Sequence, residues 1–195
     1  MSLEALSLVE AANAIRVGSL SPLDYVRALL ARVDAIEPRI QAWATIDREA
    51  VISEARQLEV EAQKKQFRGP LHGIPVGIKD IFYTRNLRTT VGSTAFADFV
   101  PAHDAAVVKK LRHAGAIIMG KCVTTVLVFL DPGPTRNPWN TNHTPGGSSS
   151  GSAAAVPFGA GCEGSPRVEA GLAMRGGRGA GNVDAGLRAD SASLR

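Results

Sequence analysis

Gly69-Pro-Leu-His-Gly-Ile-Pro-Val-Gly-Ile-Lys79-Asp80 is an apolar stretch punctuated by glycine and proline that ends on two charges. Ile74, Val76 and Ile78 lie between small or cyclic residues, which reads as a short buried strand delivering Lys79 to the mouth of a loop. Ala116-Ile-Ile-Met-Gly120 repeats the pattern and reads as a second short strand. Between them, Asp104 is placed to cap a helix that carries Ala105, Val108 and Leu111 and ends at Gly115. Strand, helix and strand in that order indicate an α/β layer.

Upstream the period is that of helices. Leu8, Ala11, Ala12 and Ile15 form one apolar stripe that closes at Gly18. Ser21-Pro22-Leu23-Asp24 supplies an N-cap, a proline at the first helical position and an acidic capping-box residue. Val26, Leu29, Leu30, Val33 and Ile36 continue at helical spacing, and Pro38 is expected to stop the run. A third helix is expected from Asp47 to about Gln66, with Val51, Ala55, Leu58 and Ala62 facing inward. Ser7, Ser21 and Asp47 read as caps. Residues 1–68 therefore read as a helical cover, and residues 69–160 as an α/β segment. From Gly161 onward the composition changes, with eight glycines, six alanines and five arginines, and only Val168 and Val183 β-branched. So little apolar area does not offset the entropy of ordering, and residues 161–195 are expected to be a disordered tail.

The chain has 195 residues, 45% of them hydrophobic and 21% charged, which fits one soluble globular domain. No apolar run approaches the roughly 20 residues of a membrane helix, so a spanning segment is not expected. Met1 to Ala12 carries Glu4 and Glu10 and no basic residue, unlike a secretory signal. Cys122 and Cys162 are too few to staple a secreted fold, so a reducing cytoplasm is expected. The net charge of +4 speaks only weakly for an anionic partner. Arg175-Gly-Gly-Arg178-Gly resembles an RNA-binding RGG segment, but it has two arginines and no interleaved aromatic, so nucleic acid is not the expected partner. Oligomeric state leaves no mark on the sequence.

Two segments offer chemistry. Thr144-Pro-Gly-Gly-Ser148-Ser-Ser-Gly-Ser152-Ala-Ala-Ala-Val156 admits three readings: a flexible linker, a phosphate cradle, or a catalytic corner of hydroxyls and amides. The direct run into a helix former argues against a linker, and the missing lysine after the second glycine argues against a nucleotide cradle. A lone lysine is ordinarily a solvated surface charge. Lys79, however, ends an apolar strand, where desolvation lowers proton affinity and makes an amine a usable base. His72, His103, His113 and His143 lack metal-ligand spacing and read as loop or surface histidines, so no metal is called for. Cys122 follows a strand and reads as a small core residue.

Gly69 to Asp80, Gly115-Ala-Ile-Ile-Met-Gly120-Lys, Asn137-Pro-Trp-Asn140 and Thr144 to Val156, in this order and at this spacing, resemble the amidase signature family. The resemblance covers residues 1 to about 156 and less than half of a typical family chain. It implies an α/β fold, with N-terminal helices and the first part of a mixed sheet with helices on both faces, followed here by the disordered tail. It also implies cleavage of carboxylic amide C–N bonds by a Ser-cisSer-Lys triad, without a cofactor and on a small-molecule amide. On that resemblance Lys79 is the base, Ser148 is the relay serine joined to Gly147 by a cis peptide, and Ser149 and Ser150 line the same pocket. Bringing a lysine near neutrality takes about 4 kcal/mol of desolvation and neighbouring dipoles. A transamidating subunit that works on aminoacyl-tRNA fits the same segments. The alternative of another class is a non-catalytic module that uses the basic tail on RNA or another anion, with binding that falls steeply with salt. A fragment that docks through an open sheet edge is a third.

One departure stands out. In the family the nucleophile lies about two dozen residues past the relay serine, in a Gly-Gly-Ser loop whose amides form the oxyanion hole. Here that distance lands on Leu172, and no Gly-Gly-Ser follows Gly146-Gly147-Ser148. Ser165 is the only serine between Ser152 and Ser191, and it stands too early, in Glu163-Gly-Ser-Pro166. A truncated or frame-shifted reading that lacks its nucleophile and is inactive as it stands is therefore expected. Without the later strands, Lys79 is expected to be wet, charged and a poor base.

Overall fold

Ser7, Ser21 and Asp47 each start a helix in the computed structural model, which describes residues 3–156. The tail that the sequence marks as disordered lies outside the described residues. Helix α1 spans Leu8–Val17, closed by a reciprocal Ser7–Glu10 capping box and ended by Gly18 in the left-handed region. Helix α2 spans Pro22–Ile40, where Ser21 accepts the Asp24 amide at 3.1 Å. The Ser21 hydroxyl also donates to Glu59 of the third helix, so one cap ties two helices together.

Pro38 does not stop α2. It sits in the last turn, where the missing N–H removes one intrahelical bond, and the helix continues to Ile40. Gln41 then adopts a left-handed conformation, and the Glu37 carboxylate collects the Ala42 and Trp43 amides at 3.0 and 2.8 Å. This turn feeds strand β1, Trp43–Thr45, inside the segment read as helical. Helix α3 spans Arg48–Gln63, short of Gln66, because Lys65 turns the chain at a φ of 58°.

Strands β2, Pro75–Lys79, and β3, Ile117–Cys122, complete a sheet of order β1-β3-β2. The central β3 runs antiparallel to β1 and parallel to β2, and the parallel crossover carries helix α4, Ala106–His113. Asp104 does not cap α4, whose N-cap position is Ala105 and has no side-chain cap bond. Its carboxylate accepts the Arg85 amide at 2.7 Å and Arg112 Nε at 3.2 Å, and Arg112 continues to Glu54 at 3.5 Å. Charged partners on other elements outcompete the local cap.

Successive side chains of a strand face opposite sides. Ile117 and Met119 enter a core built with Val26, Leu29 and Val33 of α2 and Val51, Ala55 and Leu58 of α3. Ile118 joins Ile78, Leu87 and Val108 of α4 in a smaller cluster. The architecture is therefore a mixed sheet with helices on both faces. Cys122 is fully buried in the larger core. His72 lies in the loop between α3 and β2, as expected, but it is buried rather than at the surface. At 3% exposure, its Nδ1 accepts the Arg68 amide at 3.1 Å while Nε2 donates to the Leu58 carbonyl at 2.9 Å. His103, His113 and His143 are exposed. Among the described residues, no helix is long and apolar enough to cross a membrane.

The last element, α5, spans Ser150–Ala155 and buries Ala154 and Ala155 in the larger core. Its approach depends on Gly151, where a Cβ would stand 2.2 Å from the Ala42 carbonyl oxygen and 2.3 Å from the Val123 nitrogen. Gly151→Ala is expected to lower unfolding free energy by about 1–3 kcal/mol in urea titration. An unchanged midpoint would show that α5 docks some other way.

Candidate active site

Parallel pairing with β3 places Lys79 opposite Cys122, at the C-terminal end of β2. Its side chain is half-buried, and Nζ donates to Ser148 Oγ at 2.6 Å across 69 residues of sequence. Burial pushes the Lys79 ammonium below the usual lysine value of 10.5. The expectation of a wet lysine is thus corrected, because the side chain is partly buried among the described residues.

Ser148 arrives from the opposite side. Gly146 turns the chain at a φ of 88°, and the Gly147–Ser148 peptide bond is cis. Gly147 lies against Thr125, whose Cγ2 would stand 2.6 Å from a Cβ there. The Ser148 carbonyl oxygen accepts the Thr125 amide at 3.0 Å and the Thr124 hydroxyl at 2.8 Å. Two donors on one carbonyl hold the residue whose hydroxyl meets Lys79. Ser149 and Ser150 are buried beside it. Ser150 Oγ donates to the Val123 carbonyl at 3.4 Å, whereas Ser149 Oγ has no hydrogen-bond partner among the described residues. The structure therefore joins Lys79 to Ser148, turns Ser150 toward the exit of β3, and leaves Ser149 buried alongside.

Sequence reasoning missed the groups behind this pair. Lys121 and Asp80 are 0% and 1% exposed, with Nζ 3.2 Å from Oδ1. Lys121 Nζ also donates to the Phe82 carbonyl at 2.8 Å and to Thr89 Oγ1 at 2.6 Å. Burial lowers its proton affinity, and the Asp80 carboxylate opposes that. Asp80 Oδ2 accepts both the amide and the hydroxyl of Thr90, at 3.0 and 2.6 Å. The residue that follows Lys79 is thus anchored through both carboxylate oxygens. The available signal was a lysine set in an otherwise apolar strand, and the hydroxyls of Thr124 and Thr125 just beyond it.

A strand-end lysine with lowered proton affinity, bonded to a serine on a glycine-rich corner of a helix-covered mixed sheet, is the arrangement of α/β proteins built around a serine–lysine pair. The family model described as Amidase matches residues 24–164. A glutamyl-tRNA(Gln) amidotransferase subunit from Carboxydothermus hydrogenoformans is 38% identical over 165 residues, covering 82% of this chain and 34% of that protein. The structure of peptide amidase from Stenotrophomonas maltophilia is similar at a TM-score of 0.73 and 32% identity, over 78% of this chain and 34% of that one. A crystal structure of an amidase gives a TM-score of 0.74 at 36% identity, over 80% and 37% of the two chains. The chain belongs to the amidase signature family. It spans about a third of the length of the curated relatives it matches.

Competitive acetylation across pH, read by peptide mass, is expected to give Lys79 a midpoint below 10.5. Between that midpoint and 10.5 the unfolded chain holds more protons at this residue than the folded one, so its contribution to stability rises with pH. A midpoint at 10.5 would mean a solvated amine. Lys121→Ala leaves Asp80 buried and unpaired, and is expected to cost about 3–5 kcal/mol in urea unfolding. The Lys121→Met, Asp80→Asn double variant should recover much of that loss. A single-variant loss below about 1 kcal/mol would show that water reaches the pair.

Proposed function

We propose that the chain carries the base and the proton relay of amide C–N bond cleavage. Lys79 takes a proton from Ser148, and Ser148 in turn draws one from a nucleophilic serine. The observation that supports this reading is the 2.6 Å contact from Lys79 Nζ to Ser148 Oγ, at an amine whose proton affinity burial has lowered. Family membership and the likeness to a peptide amidase support a small carboxylic amide as the substrate class. Leu172 stands where the family places its nucleophile, so the chain is read as inactive on unactivated amides. Transfer of an amide nitrogen to aminoacyl-tRNA is the second reading, supported by the amidotransferase relative.

Ammonia release from benzamide, glutamine and a C-terminally amidated dipeptide tests this proposal. The expected rate equals that of the Lys79→Ala variant. Release that depends on Lys79 would reveal a working nucleophile and overturn the inactive assignment. A Lys79 midpoint at the ordinary lysine value would remove the base and with it the whole reading.

A further inference from the structure

Two lysines in this chain donate to a hydroxyl at 2.6 Å: Lys79 to Ser148 and Lys121 to Thr89. Their surroundings differ. Lys121 is fully buried and faces the Asp80 carboxylate, so its pair is closed to any substrate and held by an ion pair. Lys79 and Ser148 are each only partly buried, and Gly146 and Gly147 beside them are exposed. Among the described residues, the chain that leads into Ser148 is thus exposed glycine backbone, and the serine itself is only partly covered.

We propose that Ser148 is itself an acyl acceptor toward activated esters, with Lys79 as its base and no third residue required. The proposal rests on the assignment of Lys79 as a base made above. Lys79 Nζ takes the Ser148 hydroxyl proton as Oγ bonds to the ester carbonyl carbon. Collapse of the adduct breaks the bond to the aryloxide, which leaves as an anion, and the Lys79 ammonium releases its proton to solvent. The products are O-acyl-Ser148 and a phenolate. An unactivated amide is a far poorer substrate for this route, because an aryloxide departs unaided as a stable anion and an amide nitrogen does not.

The neighbouring serines do not share this chemistry. Ser149, Ser150 and Ser152 are buried, and Ser150 donates to the Val123 carbonyl. The Thr124 and Thr125 donors on the Ser148 carbonyl keep that one residue in register with Lys79.

The experiment mixes the purified chain with p-nitrophenyl acetate, follows p-nitrophenolate by stopped flow, and locates acetyl groups by peptide mass after an acid quench. The expected result is a burst of one equivalent, with the acetyl group on Ser148. Ser148→Ala should abolish the burst, and Lys79→Met should slow it about 100-fold or more. Lys79→Arg, which keeps the charge but supplies no base, should match Lys79→Met, and this second variant guards against misfolding of the first. Acetyl groups only on lysines or on another serine, or a burst unchanged in both Lys79 variants, overturn the proposal. Failure to acylate Ser148 while Lys79 titrates below 10.5 defeats this inference alone and leaves the relay reading intact. A Lys79 midpoint of 10.5 defeats both.

Discussion

The parallel ladder between β2 and β3 sets where Lys79 stands, and the residues that leave β3 set where Ser148 stands. Both sides of the site are therefore measured from one buried strand. Ile117, Met119 and Cys122 bind that strand into the core under α2 and α3, and Ile118 binds it under α4. Burial of side chains of this size contributes about 1.5–3 kcal/mol each, before the entropy of ordering them is set against it. A strand fixed from both faces has little freedom to slide. That rigidity is what a 2.6 Å contact between distant residues requires.

Environment alone divides the two lysines of the sheet. Lys121 is more deeply buried than Lys79, yet Asp80, the Phe82 carbonyl and Thr89 satisfy its ammonium, and the cation is part of the framework. Lys79 is shallower, and burial is what lowers its hold on a proton. Depth is a poor guide to reactivity here. The number and charge of the acceptors decide which amine is structural and which can exchange a proton.

Features whose cause is local in sequence were legible in it. Caps at Ser7, Ser21 and Asp47 act within a turn, and β2 and β3 are short apolar runs bounded by glycine and proline. Features whose cause lies elsewhere in the chain were not. Asp104 looks like a cap until Arg85 and Arg112 are seen to claim its carboxylate. His72 is a loop residue whose burial is not apparent until Arg68 and Leu58 are seen to occupy both ring nitrogens. Strand β1 has three residues and owes its start to a carboxylate in the preceding helix, which no periodicity reveals. Lys79 and Ser148 were paired by likeness to a family, because spacing across 69 residues carries no geometric signal.

That separation also has a consequence for how the chain reaches its native state. A contact between residues so far apart forms only after loop closure, and its entropic cost must be met by contacts made earlier. Helices α1, α2 and α3 have their caps nearby and can form first. The Lys79–Ser148 contact must wait until β3 has paired with β2 and α5 has settled on the backbone at Ala42 and Val123. By its sequence separation the site is expected among the last features to appear on folding. Proton exchange at Ser148 is a readout of completed tertiary structure rather than of local order.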